Sequence, residues 1–292
     1  MTDKPQSASG YSPEWVADVR AACLYVATVL GDLLEEDLVV VGGLVPGMLI
    51  AQDPPAVGVP IHPGTMDLDL GLSLGVLDDA RYSEIAKRLR QAGFEVHEND
   101  LGNAVLQTWS IRGLRDRKVT VDFLISPSSE ADRPASIKHL ENDFGAVVTP
   151  GLDLAFLDRE IVAMEGETVV GEWAARDIPV CGPGAFVILK ALAFRSRGEP
   201  KDAYDLYYTV RNFDGGIKDI AHRIGKLKSH PEARRALAIL REDFAEAKHA
   251  GPHRAAKFSG DGDTDVVRQD VAGFIGELLL LVDGMAGEGA VE

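Results

Sequence analysis

The sequence predicts an α/β (α+β) chain in which a mixed-sheet domain is followed by a helical C-terminal domain. Three observations carry that prediction. Short β-branched runs alternate with helical patterns and then follow one another as hairpins over the first 180 or so residues. Lys118 to Ile125 shows strict strand alternation, with Val119, Val121, Phe123 and Ile125 on one face and Thr120, Asp122 and Leu124 on the other. After Pro183-Gly184 every patterned segment has helical spacing.

Residues 1–11 are polar and are expected to be disordered; they lack the apolar segment of a secretory signal. Ser12-Pro13-Glu14 is a helix start, with Ser12 as N-cap and Pro13 in the first turn. Trp15, Val19, Ala22, Cys23, Val26, Val29 and Leu30 keep helical spacing, so the helix is expected to run to about Leu34. Leu38-Val39-Val40-Val41 is a buried strand stopped by Gly42-Gly43, and a short helix is expected over Leu44 to Ile50. A loop rich in Pro and Gly follows to Gly64. Met66 to Leu72 is the next strand, Asp79 to Ala92 an amphipathic helix ended by Gly93, and Phe94–His97, Ala104–Ile111 and Lys118–Ile125 are successive strands. In the C-terminal half, helices are expected over 185–197, 200–212, 217–229, 231–248 and 265–284. The expected organisation is a disordered N-terminus (1–11), a sheet domain (12–180), a helical domain (181–285) and a tail (286–292).

Composition narrows the classes. With 292 residues, 46% hydrophobic and 26% charged, the chain has the profile of a soluble globular protein large enough for a substantial core. The longest apolar run, Phe274 to Val282, is interrupted by Gly276 and Glu277, so no membrane span and no membrane partner are expected. Cys23 and Cys181 lack metal-ligand spacing and are expected as buried, reduced thiols in a cytoplasmic protein. A net charge of -16 argues against a protein that coats nucleic acid nonspecifically. Locally the balance differs: Lys218 to Lys257 holds ten Lys/Arg against five Asp/Glu.

The acids of two strands are the candidate chemistry. Asp67 and Asp69, at i and i+2, leave one face of their strand while Leu68 and Leu70 leave the other. Two like charges held together need a cation or a proton. Asp122 is a lone acid in an otherwise apolar strand. Three carboxylates on neighbouring strands form a hard oxygen site suited to magnesium, and two such ions can clamp an in-line phosphoryl displacement. Gly42-Gly43 lets a backbone approach a phosphate closely, and the following helix start offers free amides.

Three other motifs do not fit. Gly42, Gly43 and Gly47 lack the spacing of a dinucleotide fingerprint, and no phosphate loop ending in Gly-Lys-Ser/Thr is present. Asp261 to Asp265 begins like a calcium loop, but Val266 and Ala272 stand where its glycine and glutamate belong, so it is a solvated linker.

Val39-Val40-Val41-Gly42-Gly43, Thr65-Met66-Asp67-Leu68-Asp69-Leu70 and Val121-Asp122-Phe123-Leu124-Ile125 together resemble the polymerase-β-like nucleotidyltransferase superfamily. Lys190-Ala191-Leu192-Ala193-Phe194-Arg195, followed by Lys201-Asp202-Ala203-Tyr204-Asp205-Leu206, is similar to the signature of its AbiEii-type toxin branch. The likeness spans about residues 36 to 210 and would make 12–180 the nucleotidyltransferase domain. It implies that Asp67 and Asp69 bind two Mg2+ ions, and that Asp122 binds one and helps deprotonate the acceptor. Gly42, Gly43 and Thr65 would bind the nucleoside triphosphate, Lys190 and Arg195 would contact its phosphates, and Asp202 and Asp205 would position Lys190 or the acceptor. Two departures stand out: Gly43 replaces the serine of many relatives, and the Gly43–Asp67 segment is long, carrying Asp53-Pro54-Pro55 and His62-Pro63-Gly64.

The expected reaction is transfer of a nucleoside monophosphate from an NTP to an acceptor hydroxyl, with an RNA end, tRNA in particular, as the first acceptor. The resemblance also implies a toxin role and a cognate antitoxin protein as partner. Arg223, Lys226, Lys228, Arg234 and Arg235 would follow the phosphate backbone. Two alternatives remain: nucleotidylation of a small molecule such as an aminoglycoside, and a catalytically silent relative that binds nucleotide or protein. His62 reads as a loop residue, and Tyr204, Tyr207 and Tyr208 as core aromatics.

Overall fold

A computed structural model describes residues 4–52, 56, 58–73, 79–113, 116–260 and 264–285. The Asp53-Pro54-Pro55 insertion, the 261–263 part of the linker and the 286–292 tail lie outside the described residues. The chain forms two compact units. One comprises Met1–Lys4, Ser12–Val45 and Gly64–Cys181; the other comprises Pro5–Tyr11, Pro46–Pro63 and Gly182–Glu292.

The first unit begins with helix α1 (Pro13–Leu30), whose Ser12 hydroxyl accepts from the Trp15 amide at 3.3 Å. The helix does not continue to Leu34. Gly31, at φ +54°, breaks it, and a short α2 (Asp32–Asp37) follows. Strand β1 (Leu38–Val41) is buried throughout and leads through a 3-10 turn (Gly42–Leu44) into α3 (Val45–Leu49). Then come β2 (Asp67–Leu72), α4 (Asp79–Gln91), β3 (Glu95–Glu98), β4 (Ala104–Arg112) and β5 (Lys118–Ile125). The unit is completed by β6 (Ile137–Glu141), β7 (Phe144–Val148), α5 (Leu154–Leu157), β8 (Arg159–Glu167) and β9 (Trp173–Cys181).

These strands make one mixed sheet in the order β3-β4-β5-β2-β1-β9-β8, with β7 also pairing with β5 and β6. β2 runs parallel to β5 and antiparallel to β1, so β2 is central and flanked by the glycine-turn strand on one side and the Asp122 strand on the other. The apolar face explains the pairing. Leu68 and Leu70 register with Val121 and Phe123, and all four are fully buried. Each such side chain contributes about 1.5–3 kcal/mol by leaving water. A one-residue slip would turn the aspartates into this core, so burial of the leucines fixes where the acids point. Phe144 of β7 closes the layer edge-on to Phe123, with ring centroids 4.9 Å apart.

The second unit is helical: α6 (Pro183–Arg197), α7 (Pro200–Asn212), α8 (Gly216–Leu227), α9 (Pro231–Asp243), α10 (Ala250–Ser259) and α11 (Thr264–Gly284). Proline opens α6, α7 and α9, where its missing amide costs nothing. The helix expected over 231–248 ends at Asp243, and α10, which lies outside every expected helix, follows from Ala250. Pro252 can stand only in the first turn of a helix, so a new helix must start just before it. Phe186, Tyr208, Phe244 and Phe258 anchor this core. Within the N-terminal stretch expected to be disordered, Ala8–Gly10 form a 3-10 turn, and Tyr11 packs on Phe258 with centroids 5.9 Å apart. Among the described residues no helix is long and apolar enough to cross a membrane.

Candidate functional site

Asp67 and Asp69 project from β2 on the face opposite Leu68 and Leu70, and Asp122 projects from β5 as the register partner of Asp69. One carboxylate oxygen from each of the three lies within 4.8 Å of the others. Parallel pairing of β2 and β5 puts both strands' polar residues on the same face at the same height; Asp69 and Asp122 are half-buried there and Asp67 is buried. Asp67 is 8% exposed.

The third wall is Gly42. Val41, the last residue of β1, is the register partner of Asp69, so the turn begins directly beside that carboxylate. Gly42 has φ +72°, and a Cβ there would lie 1.8 Å from Asp69 Oδ2. Both the backbone conformation and the space therefore require glycine. Gly43 follows in the same 3-10 turn and is buried.

Two hydroxyls and one ammonium set the electrostatics. The Thr65 hydroxyl donates to Asp67 Oδ1 at 2.7 Å, and the Thr108 hydroxyl of β4 donates to Asp122 Oδ1 at 2.6 Å. Thr108 is the cross-strand partner of Asp122, so this bond is a product of the β4–β5 register. The Lys4 ammonium contacts Asp67 Oδ2 at 2.6 Å. Burial raises the Asp122 pKa above the ordinary carboxylate value; the Thr108 bond opposes the shift, Asp67 adds to it and Lys4 lowers it. The donor set is entirely oxygen, its acids crowd one another, and a lysine nitrogen already leans on one of them. Those are the properties of a place for a hard divalent cation, and the three residues that can hold it are Asp67, Asp69 and Asp122.

Lys190, Asp202 and Asp205 meet in the helical unit. The Lys190 ammonium contacts Asp205 Oδ2 at 2.7 Å and Asp202 Oδ1 at 3.0 Å, and all three residues are buried. Lys201 donates to both oxygens of Asp205, and Arg197 holds Asp202 through two nitrogens at 2.6 and 2.8 Å. Burial disfavours the Lys190 charge, yet Asp205 and Asp202 outweigh it and raise its pKa. Asp205 is likewise held well below the usual carboxylate range: burial pushes it up, and Lys190 and Lys201 more than reverse that.

His62 completes this network, and sequence reasoning missed it. Its Nε2 donates to Asp205 Oδ1 at 3.0 Å, its amide donates to Gln52 Oε1 at 2.7 Å, and its ring packs edge-on to Tyr208 at 4.8 Å. Burial brings the His62 pKa down to about 4, although the bond to Asp205 works against the shift. Its partner is far away in sequence, so the only available signal was a histidine inside an unusually long Gly43–Asp67 segment.

Arg195 lies on α6 with its guanidinium bound to Asp243 at 2.7 Å and Glu242 at 2.8 Å. Cys23 and Cys181 are buried, as expected; burial pushes the Cys23 thiol up to about 12 and Cys181 well above its ordinary value.

No protein-family model matches the chain, and no curated protein does. Among solved structures it is similar to the crystal structure of an antigenic nucleotidyltransferase-like protein from Paracoccidioides brasiliensis. The identity is 16% and the TM-score 0.39, over 78% of this chain and 94% of that one. So distant a likeness says nothing of this chain's chemistry.

Proposed function

We propose that the chain is a metal-dependent nucleotidyltransferase that moves a nucleoside monophosphate from an NTP to an acceptor hydroxyl. The observation that carries this reading is the convergence of Asp67, Asp69 and Asp122 beside a turn that admits only glycine. Asp67 and Asp69 would hold magnesium, and Asp122 would share it. Once bound, the ions would neutralise the triphosphate and steady the attacking and leaving oxygens.

The chain's own residues have the remaining tasks. Thr65 and Thr108 each fix one carboxylate oxygen, which orients Asp67 and Asp122 before substrate arrives. Asp122 takes the proton of the acceptor hydroxyl as its oxygen attacks the α-phosphorus. The bond to the β-phosphate oxygen breaks and pyrophosphate leaves. The Gly42 turn leaves the space that a side chain would fill. Parts for Gly43, Lys190, Arg195, Asp202 and Asp205 rest on the sequence pattern: Gly43 beside the triphosphate, Lys190 and Arg195 on its phosphates, and the two aspartates positioning Lys190.

The same pattern supports an RNA end, tRNA first, as acceptor, and a toxin of the AbiEii type with a cognate antitoxin. The net charge of -16 favours one other acceptor class, a cationic small molecule such as an aminoglycoside. The test incubates the protein with each labelled NTP, magnesium and total RNA or an aminoglycoside, beside Asp69→Asn. Label on RNA with the wild type and none with the variant is expected. Label on the aminoglycoside alone would select the second acceptor. No label on either, or equal label with the variant, would refute the transferase. Growth inhibition on expression that Asp69→Asn relieves is the expected mark of a toxin.

A further inference from the structure

Helices α10 and α11 enclose an open groove of about 440 Å³ lined by His253, Arg254, Ala256, Lys257, Thr264 and Arg268. His253, Arg254 and Lys257 stand at i, i+1 and i+4 on α10, so they share one face of the helix, and all three are exposed. Arg268 reaches in from α11. It is ion-paired with Asp265, and its guanidinium lies against the His253 ring, 3.1 Å from each ring nitrogen. This contact holds Arg268 over the groove instead of leaving it to sweep through solvent.

Among the described residues Arg254 and Lys257 make no ion pair, and Arg268 has Asp265 as its carboxylate partner. Several other cations of the same basic stretch are paired: Arg223 with Asp219, Arg235 with Glu232, Arg241 with Asp283 and Lys248 with Glu246. Two of these, Arg223 and Arg235, are residues that sequence alone assigns to a phosphate backbone. Two unpaired cations on an open groove match the chemistry of phosphate oxygens: point charge from Lys257 and a planar two-nitrogen fork from Arg254, beside the guanidinium that Asp265 and His253 hold in place.

We propose that this groove is a phosphate-binding site that holds the backbone of single-stranded RNA. An open groove rimmed by the exposed side chains of Arg254 and Lys257 leaves room for a strand to enter and leave, and a strand offers successive phosphates to cations set one helical turn apart. That the bound RNA is the acceptor rests on the transferase reading above; the groove's affinity for phosphate does not.

The test follows a labelled oligouridylate by fluorescence anisotropy over a salt series, using the full chain. Arg254→Ala/Lys257→Ala is compared with wild type and with Arg241→Ala/Lys248→Ala as a variant of equal net charge. Circular dichroism confirms that each is folded. Expected is weaker binding in the groove variant and a salt slope lower by about 1.4, or 0.7 for each cation removed. The equal-charge variant should keep wild-type binding. Inorganic tripolyphosphate, titrated by calorimetry, separates a strand from a free polyphosphate. If the groove variant loses tripolyphosphate binding but keeps RNA binding, the groove serves small polyphosphates and the strand proposal fails. It fails equally if wild type does not bind the oligonucleotide, or if the groove variant binds it with unchanged affinity and slope. Failure of transfer chemistry reads differently: RNA binding stays intact while no NTP is consumed.

Discussion

Asp69 and Asp122 sit directly opposite one another on parallel strands, on the sheet face that Leu70 and Phe123 leave to the acids. Two carboxylates so placed are unfavourable on their own, and the fold holds them there because the leucines and the phenylalanine behind them are buried.

Gly42→Ala should disable the protein's site and strain its turn together. The new Cβ would meet Asp69 Oδ2 at 1.8 Å on a backbone at φ +72°. A stability loss of about 1–3 kcal/mol is expected from chemical denaturation, with transfer activity lost. Gly47→Ala is the control: its nearest neighbour is Gln52 Cγ at 4.0 Å, so it should be tolerated far better.

Lys4→Ala should tighten divalent-metal binding. The Lys4 ammonium holds Asp67 Oδ2 at 2.6 Å, the same carboxylate that the metal needs. The expected result in a calorimetric titration with Mg2+ is a lower Kd for the variant. Unchanged or weaker binding would mean that Lys4 does not compete with the ion.

Acid should cost stability through His62 before it reaches the carboxylates. The folded pKa is about 4 against an ordinary 6.5, because the ring is buried. A depressed histidine leaves stability intact above pH 6.5 and loses it as pH falls toward 4, by up to about 3 kcal/mol. Asp205, held well below its ordinary value, keeps its contribution through that window and loses it only at lower pH. Denaturation midpoints at pH 7.5 and 5 should therefore diverge more for wild type than for His62→Gln. Equal divergence would assign the acid loss to other groups.

Asp205→Asn should destabilise by about 3–5 kcal/mol, because it leaves Lys190 and Lys201 without their shared buried carboxylate. Arg195→Ala breaks two ion pairs near the surface and should cost less than about 1 kcal/mol. Urea denaturation of the two variants side by side gives the ranking. The reverse order would contradict the assignment of Asp205 to the core of the helical unit.

How much of this was legible in the sequence depended on whether the signal was local. The β5 boundaries and the facing of Asp122 could be read because strict alternation leaves one register that buries Val121 and Phe123. Asp67 and Asp69 were legible for the same reason. The end of α1 was misread because apolar spacing runs on past Gly31, whose positive φ decides the break. The β6–β7 and β8–β9 hairpins were not separately located: β8 alternates with little burial, and Glu141 to Phe144 turns on polar residues with no glycine. His62 and Lys4 were invisible because each acquires its role from a carboxylate more than 60 residues away.

The most direct measurement is Mn2+ binding followed by electron paramagnetic resonance, comparing wild type with Asp69→Asn and Asp122→Asn. The three acids, one oxygen each within 4.8 Å of the others, predict saturable binding by wild type that both substitutions abolish or weaken at least about tenfold. Identical Mn2+ binding by wild type and both variants would mean that these carboxylates hold no shared ion, and the transferase reading would fall with them.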